Sequence, residues 1–198
     1  MKNFLLYALF MFLTAPVFAN NLDIQILKDI NLNRNKNLDQ VFGEICNYAG
    51  PIAYGVPLLL LGIGLSRKKK FPLFLRKSIY ILISILSSGL VTTILKHLIN
   101  RPRPFMTYPF IEKMSNGGSP SFPSGHTADA FALATAISLA FPKWYIVIPS
   151  YTWALFIIYL RMDLGVHYPS DILGGIIVGA GMAALYYFLF MKKKINKL

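Results

Sequence analysis

The sequence predicts an all-α fold, a polytopic helical membrane bundle of about five transmembrane helices, and three observations predict it. Apolar runs of 17 to 22 residues occupy 44–65, 78–99, 126–142, 144–160 and 170–191, and about 20 residues of helix cross the hydrocarbon of a bilayer. Charged residues make up only 14% of the 198-residue chain, against about 25% in an average soluble domain. The formal charge of +12, from 20 Lys and Arg against 8 Asp and Glu, is clustered between the runs rather than spread along the chain. One such run could be a buried core helix, but five leave too little polar sequence to cover them, which favours membrane insertion. A chain that is 55% apolar also excludes a disordered protein.

Taken in order, residues 1–19 carry Lys2, an apolar stretch from Phe4 to Leu13, and Ala15-Pro16-Val17-Phe18-Ala19. This pattern reads as a secretory signal peptide cleaved after Ala19. The stretch is short for a span, which disfavours the alternative of an uncleaved anchor helix. Residues 20–43 are polar, with Leu22, Ile26, Leu27 and Ile30 at helical spacing. They predict an amphipathic helix on a membrane surface or against the bundle, followed by a polar loop from Asn31 to Asn37. No chemistry is legible in this segment. Residues 44–198 form the membrane domain. The single cysteine, Cys46, can form no intramolecular disulfide and reads as a small buried apolar residue.

Charge sets the predicted orientation. Arg67, Lys68, Lys69, Lys70, Arg76 and Lys77 follow the first run, Lys143 lies between the third and fourth, and Lys192, Lys193, Lys194 and Lys197 form the tail. Counting spans places all eleven cations, with no acid among them, on one face, which the positive-inside rule makes cytoplasmic. Nucleic-acid binding, the other use of basic runs, lacks an aromatic-studded folded module to carry it. The loops 100–125 and 161–169 then face the exported side, in agreement with a signal peptide that delivers residue 20 there.

That side carries the chemistry. Lys96, Arg103 and Arg161 form a predicted cationic clamp, since Arg forks match phosphate oxygens and Lys adds a point charge. Ser124 is a good N-cap for the third span, whose N-terminus offers free N–H groups to an anion, and Gly125 lets backbone approach closely. His167 and Asp171 share a helical face, with Pro169 near the helix start. A carboxylate on one ring nitrogen fixes the tautomer and frees the other nitrogen for attack. His126, beside the cradle, is placed to protonate a leaving oxygen. No acidic cluster suits Mg²⁺ or Ca²⁺, and two histidines without Cys make a poor zinc site, so no metal or cofactor is expected and charge stabilisation falls to the protein's own cations.

Lys96, six residues, Arg103-Pro104; Pro123-Ser124-Gly125-His126; then Arg161, five residues, His167, three residues, Asp171: this ordered set resembles the three-part signature of the type 2 phosphatidic acid phosphatase superfamily over residues 96–171. The resemblance implies a metal-independent phosphatase on a helical bundle. It implies that His167 becomes phosphorylated, that Asp171 orients it and that His126 is the general acid. It further implies that Lys96, Arg103, Ser124, Gly125 and Arg161 hold the phosphoryl group. Leu160 stands where the signature usually has Ser, so one hydroxyl contact is expected to be missing. Asp163 is an anion near an anion site, expected to pair with Arg161 or Arg101 or to face water. Asp129 follows His126 by one turn and could raise its pKa, though a polar residue facing the bundle interior is the preferred reading. His97 points about 100° from Lys96 on a helix and is read as a non-site histidine.

The expected function is hydrolysis of a lipid phosphate or diphosphate at the periplasmic face of a bacterial inner membrane. By resemblance the substrates are undecaprenyl diphosphate, phosphatidylglycerophosphate, phosphatidic acid or lipid A phosphates. Three alternatives stay open: phosphotransfer to another lipid or sugar, a non-catalytic protein that binds or transports anionic lipid, and an acyl hydrolase using Ser124. The last lacks a Gly-x-Ser-x-Gly elbow.

Overall fold

The computed structural model describes residues 20–115 and 117–192. The predicted signal peptide and the tail cations Lys193, Lys194 and Lys197 lie outside the described residues. The elements are α1 (Asn20–Leu32), a 3₁₀ turn (Lys36–Leu38), α2 (Asp39–Ser66), α3 (Pro72–Ile99), a single turn α4 (Pro104–Thr107), α5 (Gly125–Ala140), α6 (Trp144–Asp163), α7 (Pro169–Tyr186) and a closing π-helical turn (Tyr187–Lys192). Among the described residues there is no strand. Helices α2, α3, α5, α6 and α7 form the all-helical bundle that the apolar runs predict.

Four helical segments, within 36–66, 72–107, 144–163 and 169–191, are long and apolar enough to cross a membrane. The expected fifth, α5, is too short for that measure. Its 16 residues span about 24 Å. The physical reason is position: α5 is the centre of the bundle, with Ala128, Ala130, Ala132, Ala134 and Ala136 all buried, so its length answers to neighbouring helices rather than to lipid. The outer helices instead present Leu59, Leu86, Leu90, Leu155 and Ile177 outward, each more than half exposed, as lipid-facing positions must be.

Small residues bring α5 against α7. Gly175 and Gly179 are four apart on α7, and a Cβ at Gly175 would stand 2.7 Å from the Ser124 carbonyl, while one at Gly179 would strike the Ala128 carbonyl. Such close backbone approach is the usual solution for helix contacts in lipid. It carries the start of α5 beside the start of α7, where the Ser124 N–H donates to the Asp171 carbonyl at 3.0 Å. On α3, Ser78, Ser84, Ser88 and Thr92 form a buried small-polar stripe facing the bundle.

Two boundaries move outward from the sequence expectation. Helix α2 begins at Asp39 rather than at 44, and α3 begins at Pro72 rather than at 78. Proline suits a first helical position, so α3 starts there and takes in Arg76 and Lys77. Those cations leave the apolar core by their own reach: Arg76 donates to the Phe190 carbonyl, and Lys77 lies 4.6 Å above the Phe141 ring.

Helix α1 packs against the bundle, on α6 and α7. Leu27 is fully buried with Ile111 and Tyr168. Asn31, expected in a loop, is buried; its amide donates to the carbonyls of Asp163 (2.8 Å) and Glu112 (3.0 Å) and accepts from the Glu112 N–H (2.9 Å). Beyond it, Arg34 bridges Asp39 (2.9 Å) and Glu112 (2.6 Å). Hydrogen bonds from Lys36 and Arg34 hold the Glu112 carboxyl below its usual range. Cys46 is buried in an apolar cluster with Ala49, Phe131 and Ile157.

Candidate functional site

All the singled-out site residues lie at one end of the bundle. The opposite end carries the Arg67–Phe71 connection and Lys143. Two backbone devices steer the chain into the site. Asn100 ends α3 in the left-handed region (φ 48°), turning the chain at residues 101–103 away from the helix. Gly165 (φ 70°) turns the chain between α6 and His167, and a Cβ there would collide with the Glu112 carbonyl.

His167 is the centre. It is 1% exposed. Its Nδ1 lies 3.4 Å from Asp171 Oδ2, and its Nε2 lies 3.4 Å from Arg103 Nη1. A guanidinium can only donate, so Nε2 carries the lone pair and Nδ1 the proton, which points at Asp171. Burial first, then Arg161, Arg103, Lys96 and His126, pushes the imidazole well below the ordinary histidine pKa. The three predicted cations and the second histidine are thus all near enough to act on the charge of this ring. The downward shift favours the neutral ring, with Nε2 facing the positive charge of Arg103.

Arg103 is 5% exposed and Arg161 2%. Both they and Lys96 touch one loop. Lys96 donates to the Pro120 carbonyl. Arg103 Nε donates to the Ser119 carbonyl at 2.8 Å and its Nη1 to the Val166 carbonyl at 2.9 Å. Arg161 Nη1 reaches Ser115 Oγ at 3.4 Å. Gly117 lies on the Arg103 side chain, where a Cβ would come within 3.0 Å of Nη1, Cζ and Cδ. Arg161 Nε is buried with no hydrogen-bond partner among the described residues. A buried, unpaired guanidinium N–H is costly, and an anion seated there would relieve that cost.

Ser124 occupies the N-cap position of α5, as expected, but its side chain makes no capping bond. Instead its Oγ accepts from Thr127 Oγ1 at 2.9 Å. Packing does not demand glycine at 125, since a Cβ would meet Lys96 Cε and Thr92 Cγ2 at an ordinary 3.9 Å. His126 is half-buried on the first turn of α5 and faces Cys46 of α2.

Asp171 differs from the sequence expectation in its partners. Its shortest bonds are to Arg101 Nη1 (2.8 Å) and the Tyr168 N–H (2.9 Å), with His167 further away. Arg101 also bonds Ser170 Oγ (2.6 Å) and Asp23 of α1 (3.0 Å), and it stacks 3.9 Å above the Tyr168 ring. Asp23 in turn accepts from the Ser170 N–H at 2.9 Å and from its hydroxyl. The segment read as chemically silent is therefore linked to the Asp171 carboxylate through one arginine. Asp23 lies in the first turn of a helix with its Leu spacing intact, and only an unexplained buried-side Asp could have drawn attention to it.

Asp163 pairs with neither Arg161 nor Arg101 and does not face water: it is fully buried, its carboxyl oxygens make no hydrogen bond among the described residues, and Tyr159 is its neighbour. Leu160 is fully buried in the apolar core, and hydroxyls near the cations come from Ser115 and Ser119 rather than from position 160. Asp129 turns to Tyr54, whose hydroxyl donates at 3.2 Å, rather than to His126. His97 is exposed at the edge of the bundle.

Comparison with known proteins places this arrangement. The model of the PAP2 superfamily matches residues 77–195. The lipid A 1-phosphatase of Rhizobium johnstonii is 30% identical over 118 residues, 57% of this chain and 48% of that protein. An undecaprenyl-diphosphatase of Bacillus subtilis is 28% identical over 160 residues, covering 78% of this chain and 76% of the other. The crystal structure of Aquifex aeolicus LpxE superposes with a TM-score of 0.72 at 26% identity, over 84% of this chain and 95% of that one. The chain spans about half the length of the lipid A phosphatases it matches.

Proposed function

The chain belongs to the PAP2 superfamily, and from that premise we propose that it hydrolyses a lipid phosphate or diphosphate through a phosphohistidine. One observation carries the reading: Nε2 of buried His167 lies 3.4 Å from Arg103 Nη1 while its Nδ1 faces Asp171, and Arg161 and Lys96 add positive charge near the ring.

In the first step Nε2 attacks phosphorus. The N–P bond forms, the P–O bond to the lipid breaks, and His126 gives its proton to the departing oxygen. Nδ1 keeps its proton, and its developing positive charge is met by Asp171. In the second step water attacks phosphorus, His126 takes the proton, the N–P bond breaks and inorganic phosphate leaves. Lys96, Arg103 and Arg161, with the first N–H groups of α5 after Ser124 and Gly125, bind the equatorial oxygens. These groups supply the electrostatic stabilisation that a metal supplies in other phosphatases.

The site lies at the end of the bundle opposite the basic connections, which supports a periplasmic position at headgroup depth in a bacterial inner membrane. Lipid A phosphates, undecaprenyl diphosphate, phosphatidylglycerophosphate and phosphatidic acid all bring a phosphate to that depth. Two experiments test the reading. Purified protein given ³²P-labelled lipid phosphate should yield an acid-labile, alkali-stable phosphoprotein that His167→Ala lacks; free phosphate with no trapped intermediate under single turnover would overturn it. In intact cells a membrane-impermeant maleimide should label Met114→Cys and spare Lys69→Cys; the reverse pattern would invert the orientation.

A further inference from the structure

A groove of about 480 Å³ runs from the phosphate seat into the lipid-facing side of the bundle, between α3, α5 and Tyr54 of α2. Lys96 and Gly125 form its upper end and belong to the seat as well. Leu86 and Leu90 form its apolar lower wall. Between these ends stand polar groups that the reaction above does not use. Thr92 is one turn below Lys96, 4% exposed, with an Oγ1 that has no hydrogen-bond partner among the described residues. Asp129 is one turn below Gly125. Its Oδ1 accepts from Tyr54 at 3.2 Å. Gly89 makes room for that pair, since a Cβ there would stand 2.6 Å from the Tyr54 hydroxyl.

Four residues of helix rise about 6 Å. The Thr92 hydroxyl and the Asp129 carboxyl therefore share one level, about that distance beneath the cations. A substrate whose phosphate sits among Lys96, Arg103 and Arg161 must place at this level the group that carries the phosphate. A plain hydrocarbon chain there would leave the Thr92 hydroxyl unpaired and the Asp129 carboxyl with the Tyr54 hydroxyl alone, which is the costly case for buried polar groups. A diphosphate would direct its second anionic group towards Asp129.

Resting on the phosphate seat proposed above, we propose that Thr92, Asp129 and Tyr54 form a polar shelf that reads the phosphate's carrier. The carrier that fits is one presenting hydroxyl or amide N–H donors beside the ester, as a phosphorylated, acylated amino sugar does and a polyprenyl diphosphate does not. The shelf selects; the seat and His167 react.

The test uses the purified full chain and two probes of matched chain length, an N-acylated glucosamine 1-phosphate lipid and a prenyl diphosphate. Wild type should favour the sugar lipid in kcat/KM. Asp129→Asn, close in shape to the native residue, should lower that preference about tenfold, the size of one hydrogen bond to a charged group, chiefly through KM. Thr92→Ala should lower it less. A loss equal on both probes, or an unaltered ratio, overturns the shelf. Melting shifts with the non-hydrolysable phosphonates of both probes separate this from the reaction itself. A sugar preference in binding that Asp129→Asn removes supports the shelf even if no phosphate is released, in which case only the hydrolytic reading falls. Equal shifts in wild type and variant overturn the shelf even if turnover is normal.

Discussion

The two ends of the bundle are both rich in Lys and Arg, yet the cations at each end live in opposite environments. At the connection between α2 and α3, Arg67, Lys68, Lys69 and Lys70 are exposed, and among the described residues none forms a salt bridge. At the other end Arg103 and Arg161 are almost wholly buried, braced by carbonyls and hydroxyls, and set around His167. Exposed cations are interchangeable point charges screened by salt within about 10 Å. Buried ones have fixed geometry and an unmet demand for an anion. The contrast teaches that net charge alone says little about partners: part of the +12 is solvent-exposed at one end of the bundle, and part of it is buried around His167 at the other.

That contrast can be broken by substitution. The largest effect belongs to His167→Ala, which should lower phosphate release by at least about 10³-fold, as loss of a nucleophile does. EDTA should leave the wild type unchanged, and strong inhibition by chelator would show that the cations do not suffice. Arg161→Lys and Arg103→Lys keep charge but lose the fork, and each should cost about 10²-fold in kcat. Next comes the indirect support. Asp23→Asn should lower kcat about tenfold with little change in KM, as expected when one charge-assisted hydrogen bond to the orienting arginine is lost; Asp23→Glu should recover part of it. The ascending limb of kcat/KM against pH should lie below 6.5. A depressed pKa means that His167 stays neutral as pH falls past the ordinary histidine value, and replacing Arg103 by Gln should move the limb upward. The smallest effect is expected where charge is densest: Arg67, Lys68 and Lys69 changed together to Gln should alter kcat less than about twofold, since surface ion interactions are weak, while orientation in the membrane becomes mixed.

Much of this was legible beforehand because it rests on local rules. Apolar runs and basic connections announce helices and the end at which the site lies. The residues Lys96, Arg103, Ser124, Gly125, His126, Arg161, His167 and Asp171 do gather at one end, in the order their motifs imply. What escaped the sequence depends on packing between distant segments. The length of α5 is set by its neighbours, not by lipid. Asp129 faces Tyr54 because Gly89 opposite has no side chain. Arg101, expected at most as a partner for Asp163, instead bridges Asp171 to Asp23 across 78 residues on one side and 70 on the other. A pattern read along the chain has no means of pairing an aspartate near the N-terminus with a serine 147 residues later.

That last pairing bears on how the molecule is born. Asp23 leaves the ribosome among the first described residues, whereas Ser170 and Asp171 open the final long helix. Arg101 can be clasped from both sides only after the last span has been delivered, and a chain that stops before Ser170 also lacks Asp171, the partner of His167, so the newborn chain should stay catalytically silent until its biogenesis is nearly complete. Release of phosphate by ribosome-bound chains that stop short of Ser170 would contradict this timing.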